Sequence, residues 1–239
     1  MLLKWGNLSA TPYSTASSQN KRRNMSRRLP VYLILDTSHS MGGQPLRAVE
    51  QGILMVINAL MNTPQALETA ALSIITFNTT AQQLLPLTEL PQVVVPTLKG
   101  KGWTHLGEGL SLAAERAASE VVKNTPETKG DWKPMVFIMS DGHATDNLNL
   151  GVRKFKQFKW GIVVACAVGR KIDDRGLEEL HSITENVIQL EDSSPLSISS
   201  FFKWVSQSIV TNSMSIGTGK GDVSDFKQLP PPPPQIAII

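Results

Sequence analysis

The chain is short of cysteine, aromatic residues and charge, and each shortage narrows what it can do. Its single cysteine, Cys166, excludes an internal disulfide. Cys166 lies in the apolar run Gly161-Ile-Val-Val-Ala-Cys-Ala-Val168 and reads as a small buried hydrophobe rather than a nucleophile. Cysteine used this way suits a reducing compartment, so a cytoplasmic location is expected. No Cys/His spacing fits zinc, and no Gly-x-Ser-x-Gly elbow offers a hydrolase serine. Gly217-Thr-Gly-Lys-Gly221 superficially resembles a phosphate loop, but no Ser/Thr follows its lysine and no strand precedes it. No stretch reaches the roughly 18 apolar residues of a membrane span. The N-terminus also lacks the apolar centre of a signal peptide.

What is present suits a globular domain. Apolar residues make up 41% of the chain, enough for a real core, and 18% charged residues is not the composition of a disordered one. The basic balance is local. Residues 1–24 hold Lys4, Lys21, Arg22 and Arg23 and no acid. Without them, 23 basic against 20 acidic residues becomes 19 against 20. The pI near 9.0 is therefore a property of that segment and is poor evidence for a nucleic-acid partner. Because the apolar pattern begins abruptly after Met25-Ser-Arg-Arg-Leu-Pro30, Met25 is expected to be the natural start. Residues 1–24 are then a non-native or disordered extension, 25–212 a domain, and 213–239 a Gly/Ser-rich and then Pro-rich tail.

Apolar runs alternate with segments of helical period. The runs are Val31–Leu35, Ala71–Phe77, Met135–Met139, Ile162–Val168 and Val187–Leu190. Val49, Ile53, Val56, Ile57 and Leu60 recur at helical spacing between the first two. Leu106, Leu110, Ala113, Ala117 and Val121 do so before the third. Helices are also expected over about 148–158, after an Asp173 or Asp174 cap, and over about 195–212. This rhythm predicts an α/β fold with a mostly parallel sheet covered by helices on both faces. Gln82–Leu87 follows the second run too closely for a crossover, so it predicts an antiparallel edge strand joined by a hairpin. The sheet then has six strands. The proline run Pro230–Pro234 predicts polyproline II, and the apolar end after it either docks or stays disordered.

Chemistry in such a sheet collects beyond the carboxyl ends of the strands. Three segments land there. Asp36-Thr37-Ser38-His39-Ser40 follows the first run, Gly100-Lys-Gly-Trp-Thr-His-Leu-Gly107 leads into a helix, and Ser140-Asp-Gly-His143 follows the third run. Together they offer Asp36, Ser38, Ser40, Thr104 and Asp141, a set of hard oxygens of the kind Mg²⁺ or Ca²⁺ prefers.

In this order and context, these residues resemble the metal-ion-dependent adhesion site of the von Willebrand factor A family: Asp-x-Ser-x-Ser, then Thr, then Asp. The resemblance spans about residues 30–212. It implies a Rossmann-like three-layer α/β/α sandwich and a bound divalent cation, Mg²⁺ first and Ca²⁺ or Mn²⁺ as alternatives. Ser38, Ser40 and Thr104 would bind the ion directly, and Asp36 and Asp141 directly or through water. The open position would take an Asp or Glu carboxylate from a partner protein. Within the family, Thr104-His-Leu-Gly107, Ser140-Asp-Gly-x-x-Thr-Asp146 and the proline-rich end look most like bacterial TerY-type tellurium-resistance proteins. That likeness implies a role in tellurite and related chemical stress, and a co-encoded phosphatase or kinase as partner.

The chain departs from the family at His39 and Trp103, where glycine is common. His105 and His143 also adjoin the site. These four residues are expected either as ordinary loop residues or as a rim that contacts the anionic partner, with affinity rising as the histidines protonate. Three functions are weighed: a binding module without catalysis, a metal-dependent phosphohydrolase-like enzyme, and a scaffold with a vestigial metal site. Ser38 stands where haloacid-dehalogenase-type phosphatases carry their second aspartate. That favours the module, although Asp146 and the histidines leave groups for catalysis.

Overall fold

The computed structural model describes residues 27–169, 172–217 and 225–239. The expected extension over 1–24, the Met25 start and residues 218–221 of the glycine-rich stretch lie outside the described residues.

The strands are β1 (Leu29–Asp36), β2 (Ala70–Phe77), β3 (Ala81–Glu89), β4 (Met135–Ser140), β5 (Ile162–Ala167), β6 (Val187–Leu190) and β7 (Ile236–Ile238). The helices are α1 (Gln44–Met61), α2 (Pro64–Thr69), α3 (Leu106–Glu120), α4 (Leu148–Gln157), α5 (Asp174–His181) and α6 (Pro195–Gly217). The seven strands form one sheet in the order β3-β2-β1-β4-β5-β6-β7. β1 runs parallel to both β2 and β4, with Leu33 opposite Ile74 on one side and Phe137 on the other.

Every residue of β1 is buried, as a central strand covered on both faces requires. Its side chains alternate between two cores. Val31, Leu33 and Leu35 join the core formed with Val49, Ile53 and Val56 of α1 and Phe201, Phe202 and Val205 of α6. Tyr32 and Ile34 join the opposite core, with Leu110 and Ala113 of α3 and Phe155 of α4. The expected three-layer α/β/α sandwich, mostly parallel with an antiparallel edge, is therefore what forms. Asp173 caps α5 by accepting the Gly176 N–H at 3.1 Å, and Asn147 caps α4 through Leu150 N–H at 3.1 Å.

The strand count needs correction from six to seven. β7 pairs antiparallel with β6, setting Leu190 opposite Ile236 and Ile188 opposite Ile238. The tail that carries β7 lies against α6. The Trp204 indole N–H donates to Pro230 O at 2.8 Å, Phe226 packs 6.0 Å from the Trp204 ring, and Leu229 and Ile236 are buried. A three-residue strand after a proline run carries no hairpin signal, and its pairing partner is distant in sequence. The short helix α2 was likewise not expected, and α6 runs on past 212 to Gly217. Among the described residues no helix is long and apolar enough to cross a membrane.

Candidate metal centre

The strand order places the site. From β1 the chain moves outward to β2, whereas β4 lies on the other side of β1 and leads outward to β5. Loops leaving the carboxyl ends of β1 and β4 therefore diverge, and the crevice between them is a topological switch point. Asp36 ends β1 and Ser140 ends β4.

Asp36 is fully buried, and both of its carboxylate oxygens are engaged. Oδ1 accepts the Ser38 N–H at 2.7 Å, which curls the loop, and Oδ2 accepts the Ser140 hydroxyl at 2.6 Å. Burial pushes the Asp36 carboxyl up to about 6. The hydrogen bonds from Ser140 and Ser38 pull the other way, and the neighbouring Asp141 adds to the rise.

Three of the expected ligands form a chain of oxygens. Ser38 Oγ lies 3.0 Å from Ser40 Oγ, and the Ser40 hydroxyl donates to Asp141 Oδ1 at 2.7 Å. Neighbouring ligands of an octahedral Mg²⁺ with bonds of 2.0–2.1 Å stand about 2.9 Å apart. The two separations thus match edges of such a shell. Thr104 is buried, and a Cβ placed on Gly142 would sit 3.8 Å from its Oγ1, so the hydroxyl faces the Asp141 loop. The donor set is hydroxyl and carboxylate only, which fits a hard divalent cation.

Backbone hydrogen bonds lock the loops together. His39 N–H donates to Gly102 O at 3.0 Å, and Lys101 N–H donates to Thr37 O at 2.9 Å. Thr104 N–H donates to Thr145 Oγ1 at 3.1 Å, and Thr145 N–H returns to Thr104 O at 2.8 Å. Asp146 caps α3 from outside the helix, its two oxygens accepting Gly107 N–H at 3.1 Å and Glu108 N–H at 2.8 Å. A carboxylate there meets orphan donors and the positive end of the helix dipole. Both Asp146 oxygens are therefore committed to the start of α3, just after Thr104. Sequence reading missed the roles of Ser140, Thr145 and Asp146. The signal was their clustering in one strand-end loop, but their partners are in other elements.

The four rim residues divide into two pairs. His39 is exposed, and Trp103 is 66% exposed beyond Gly102, whose φ of +74° favours glycine. His105 instead starts α3, largely withdrawn from solvent, with Nδ1 3.5 Å from Glu108 Oε1. His143 turns to α5, with Nε2 3.0 Å from Asp173 Oδ1 and Nδ1 3.8 Å from Glu179 Oε2. Glu179 also accepts the Ala144 N–H at 2.8 Å, tying the Asp141 loop to α5. Among the described residues no group of three or more His, Cys, Asp or Glu side chains is placed to hold a metal. Cys166 is buried in the core, and burial pushes its thiol up, away from reactivity.

The model of the von Willebrand factor type A domain matches residues 31–203. No curated protein matches the chain. Among solved structures, a von Willebrand factor type A protein from Catenulispora acidiphila is similar over 78% of this chain and 43% of its own, at 14% identity and a TM-score of 0.57. The pilus adhesin SpaC from Lactobacillus rhamnosus GG is similar over 80% of this chain and 31% of its own, at 14% identity and a TM-score of 0.63. The conserved hypothetical protein BatB from Bacteroides thetaiotaomicron is similar over 80% of this chain and 99% of its own, at 17% identity and a TM-score of 0.50. The chain spans less than half the length of the first two. At these identities the likeness is one of fold.

Proposed function

This chain belongs to the von Willebrand factor type A domain family, and from that membership we propose that its β1–β4 crevice is a metal-ion-dependent adhesion site. Domains of the family commonly mediate protein–protein interaction. Here the interaction would pass through a divalent cation, Mg²⁺ first, held by Ser38, Ser40, Thr104 and Asp141. Asp36, with both oxygens already accepting hydrogen bonds, orients the first loop and supplies negative charge. When bound, the ion supplies an electrophilic centre for an Asp or Glu carboxylate of a partner. His39 and Trp103 lie exposed beside it, and Trp103 offers the large rigid surface common at binding hot spots.

The single observation that carries this reading is the Ser38–Ser40–Asp141 chain of oxygens, spaced as neighbouring ligands of a small hard ion. We read the domain as non-catalytic. Asp36 is fully buried with both oxygens accepting hydrogen bonds, and Asp146 is engaged as a helix cap. The TerY-like motifs suggest a cytoplasmic role in tellurite and chemical-stress resistance with a co-encoded phosphatase or kinase.

Calorimetric titration with Mg²⁺, Ca²⁺ and Mn²⁺ tests the site. Wild type should bind at one site, and Ser38→Ala and Thr104→Ala should lose that binding while keeping their melting cooperativity. Unchanged heats in both variants would sink the assignment. Capture of a partner that is lost in Ser38→Ala yet survives EDTA would sink the metal bridge.

A further inference from the structure

The pole of the sheet away from Asp36 carries a second surface of different chemistry. β4 separates the two poles by about 20 Å, at about 3.3 Å per residue. There, the end of α3, the residues leading into β4 and the α4–β5 loop enclose a depression of about 450 Å³. Its floor is apolar: Val122, Trp132, Pro134 and Phe158. Val122 is 55% exposed. The Arg27 guanidinium lies 3.6 Å from the Trp132 ring centroid, and Trp160 stands 4.5 Å from Phe158, so each aromatic ring is packed against a neighbour.

The rim is cationic. Lys123, Lys133 and Lys159 line the depression, and each is exposed and without an ion pair among the described residues. The acid in the lining, Asp131, is already consumed. It pairs with Arg28 at 2.6 Å and accepts the Val122 N–H at 2.8 Å. Beside it a second depression of about 470 Å³ shares Lys123, Gln157 and Phe158 and adds Lys154 and Glu115. The two meet at these shared residues and make one channel, with apolar patches and a rim of four lysines against Glu115.

We propose that this channel docks an acidic peptide segment of a partner protein, one that presents a bulky apolar side chain among its carboxylates. The apolar side chain would bury against Trp132 and Phe158, and the carboxylates would meet Lys123, Lys133 and Lys159. The proposal does not rest on the metal site, which shares none of these residues.

The test is fluorescence anisotropy of a labelled peptide of glutamates around one central phenylalanine, with the full chain. Saturable binding is expected, weakening as salt rises. It should fall about tenfold in Lys133→Glu/Lys159→Glu and on replacing the phenylalanine with serine. Because the metal pole could also hold a carboxylate, binding should persist in EDTA and in Ser38→Ala. Both lysines are exposed, so the double variant should melt with the wild type. Absence of saturable binding, equal binding of the serine peptide, insensitivity to charge reversal, or loss in EDTA would each overturn the proposal.

Discussion

Replacing Asp36 with asparagine should stabilise the metal-free protein at neutral pH. The Asp36 carboxyl titrates near 3.8 in an unfolded chain and at about 6 in the fold, because burial disfavours its charge. Between those values the folded state holds a proton that the unfolded state has lost, so stability falls as pH rises through 6. At 1.36 kcal/mol per unit, the ionised group costs about 3 kcal/mol at pH 7. Asparagine keeps the oxygen that accepts the Ser38 N–H, and its amide faces the Ser140 hydroxyl, which can turn from donor to acceptor. Urea denaturation in EDTA should therefore show Asp36→Asn more stable than wild type at pH 7, by up to about 3 kcal/mol, with the gain gone near pH 4. Magnesium should reverse the order at pH 7, since a cation offsets the charge only in the wild type. A variant that is less stable at pH 7 in EDTA, or a difference that does not vary with pH, would refute the reasoning.

Other changes probe the supports of the site. Asp146→Ala removes two hydrogen bonds at the start of α3 and should cost about 1–3 kcal/mol in denaturant melts. It should also weaken cation binding, because the start of α3, which follows Thr104, loses its cap. Gly151→Ala should cost about 1–3 kcal/mol, since its Cβ would run into the Gly107 backbone where α4 crosses α3. Trp204→Phe loses the indole bond to Pro230 and should expose the C-terminal segment to limited proteolysis, with the rest of the domain intact.

Much of the site was legible because its signals are local. Asp36, Ser38 and Ser40 occupy alternate positions after an apolar run, and such a run in an α/β rhythm ends where ligands gather. Asp141 stands in the same relation to β4, and Thr104 sits just before the start of α3. The fates of the histidines differ. His105 meets Glu108 one helical turn away, a pairing the i,i+3 spacing contains. His143 meets Asp173 and Glu179 across thirty residues or more, and no periodicity in the chain encodes that meeting.

The sequence by itself determined β1 to β6 and the longer helices, because burial on a sheet or helix imposes a period that a single chain must carry. It also determined the chemistry on offer at the strand ends: hydroxyls and carboxylates, with no thiol or zinc-type spacing. Only the tertiary structure decided that Ser38, Ser40 and Asp141 share one chain of oxygens, that Asp146 is a cap, and that the tail returns as β7. It alone gathered Lys123, Lys133 and Lys159 around an apolar floor at the opposite pole. Each of these depends on which strands are neighbours, and strand pairing brings together residues that local pattern leaves far apart.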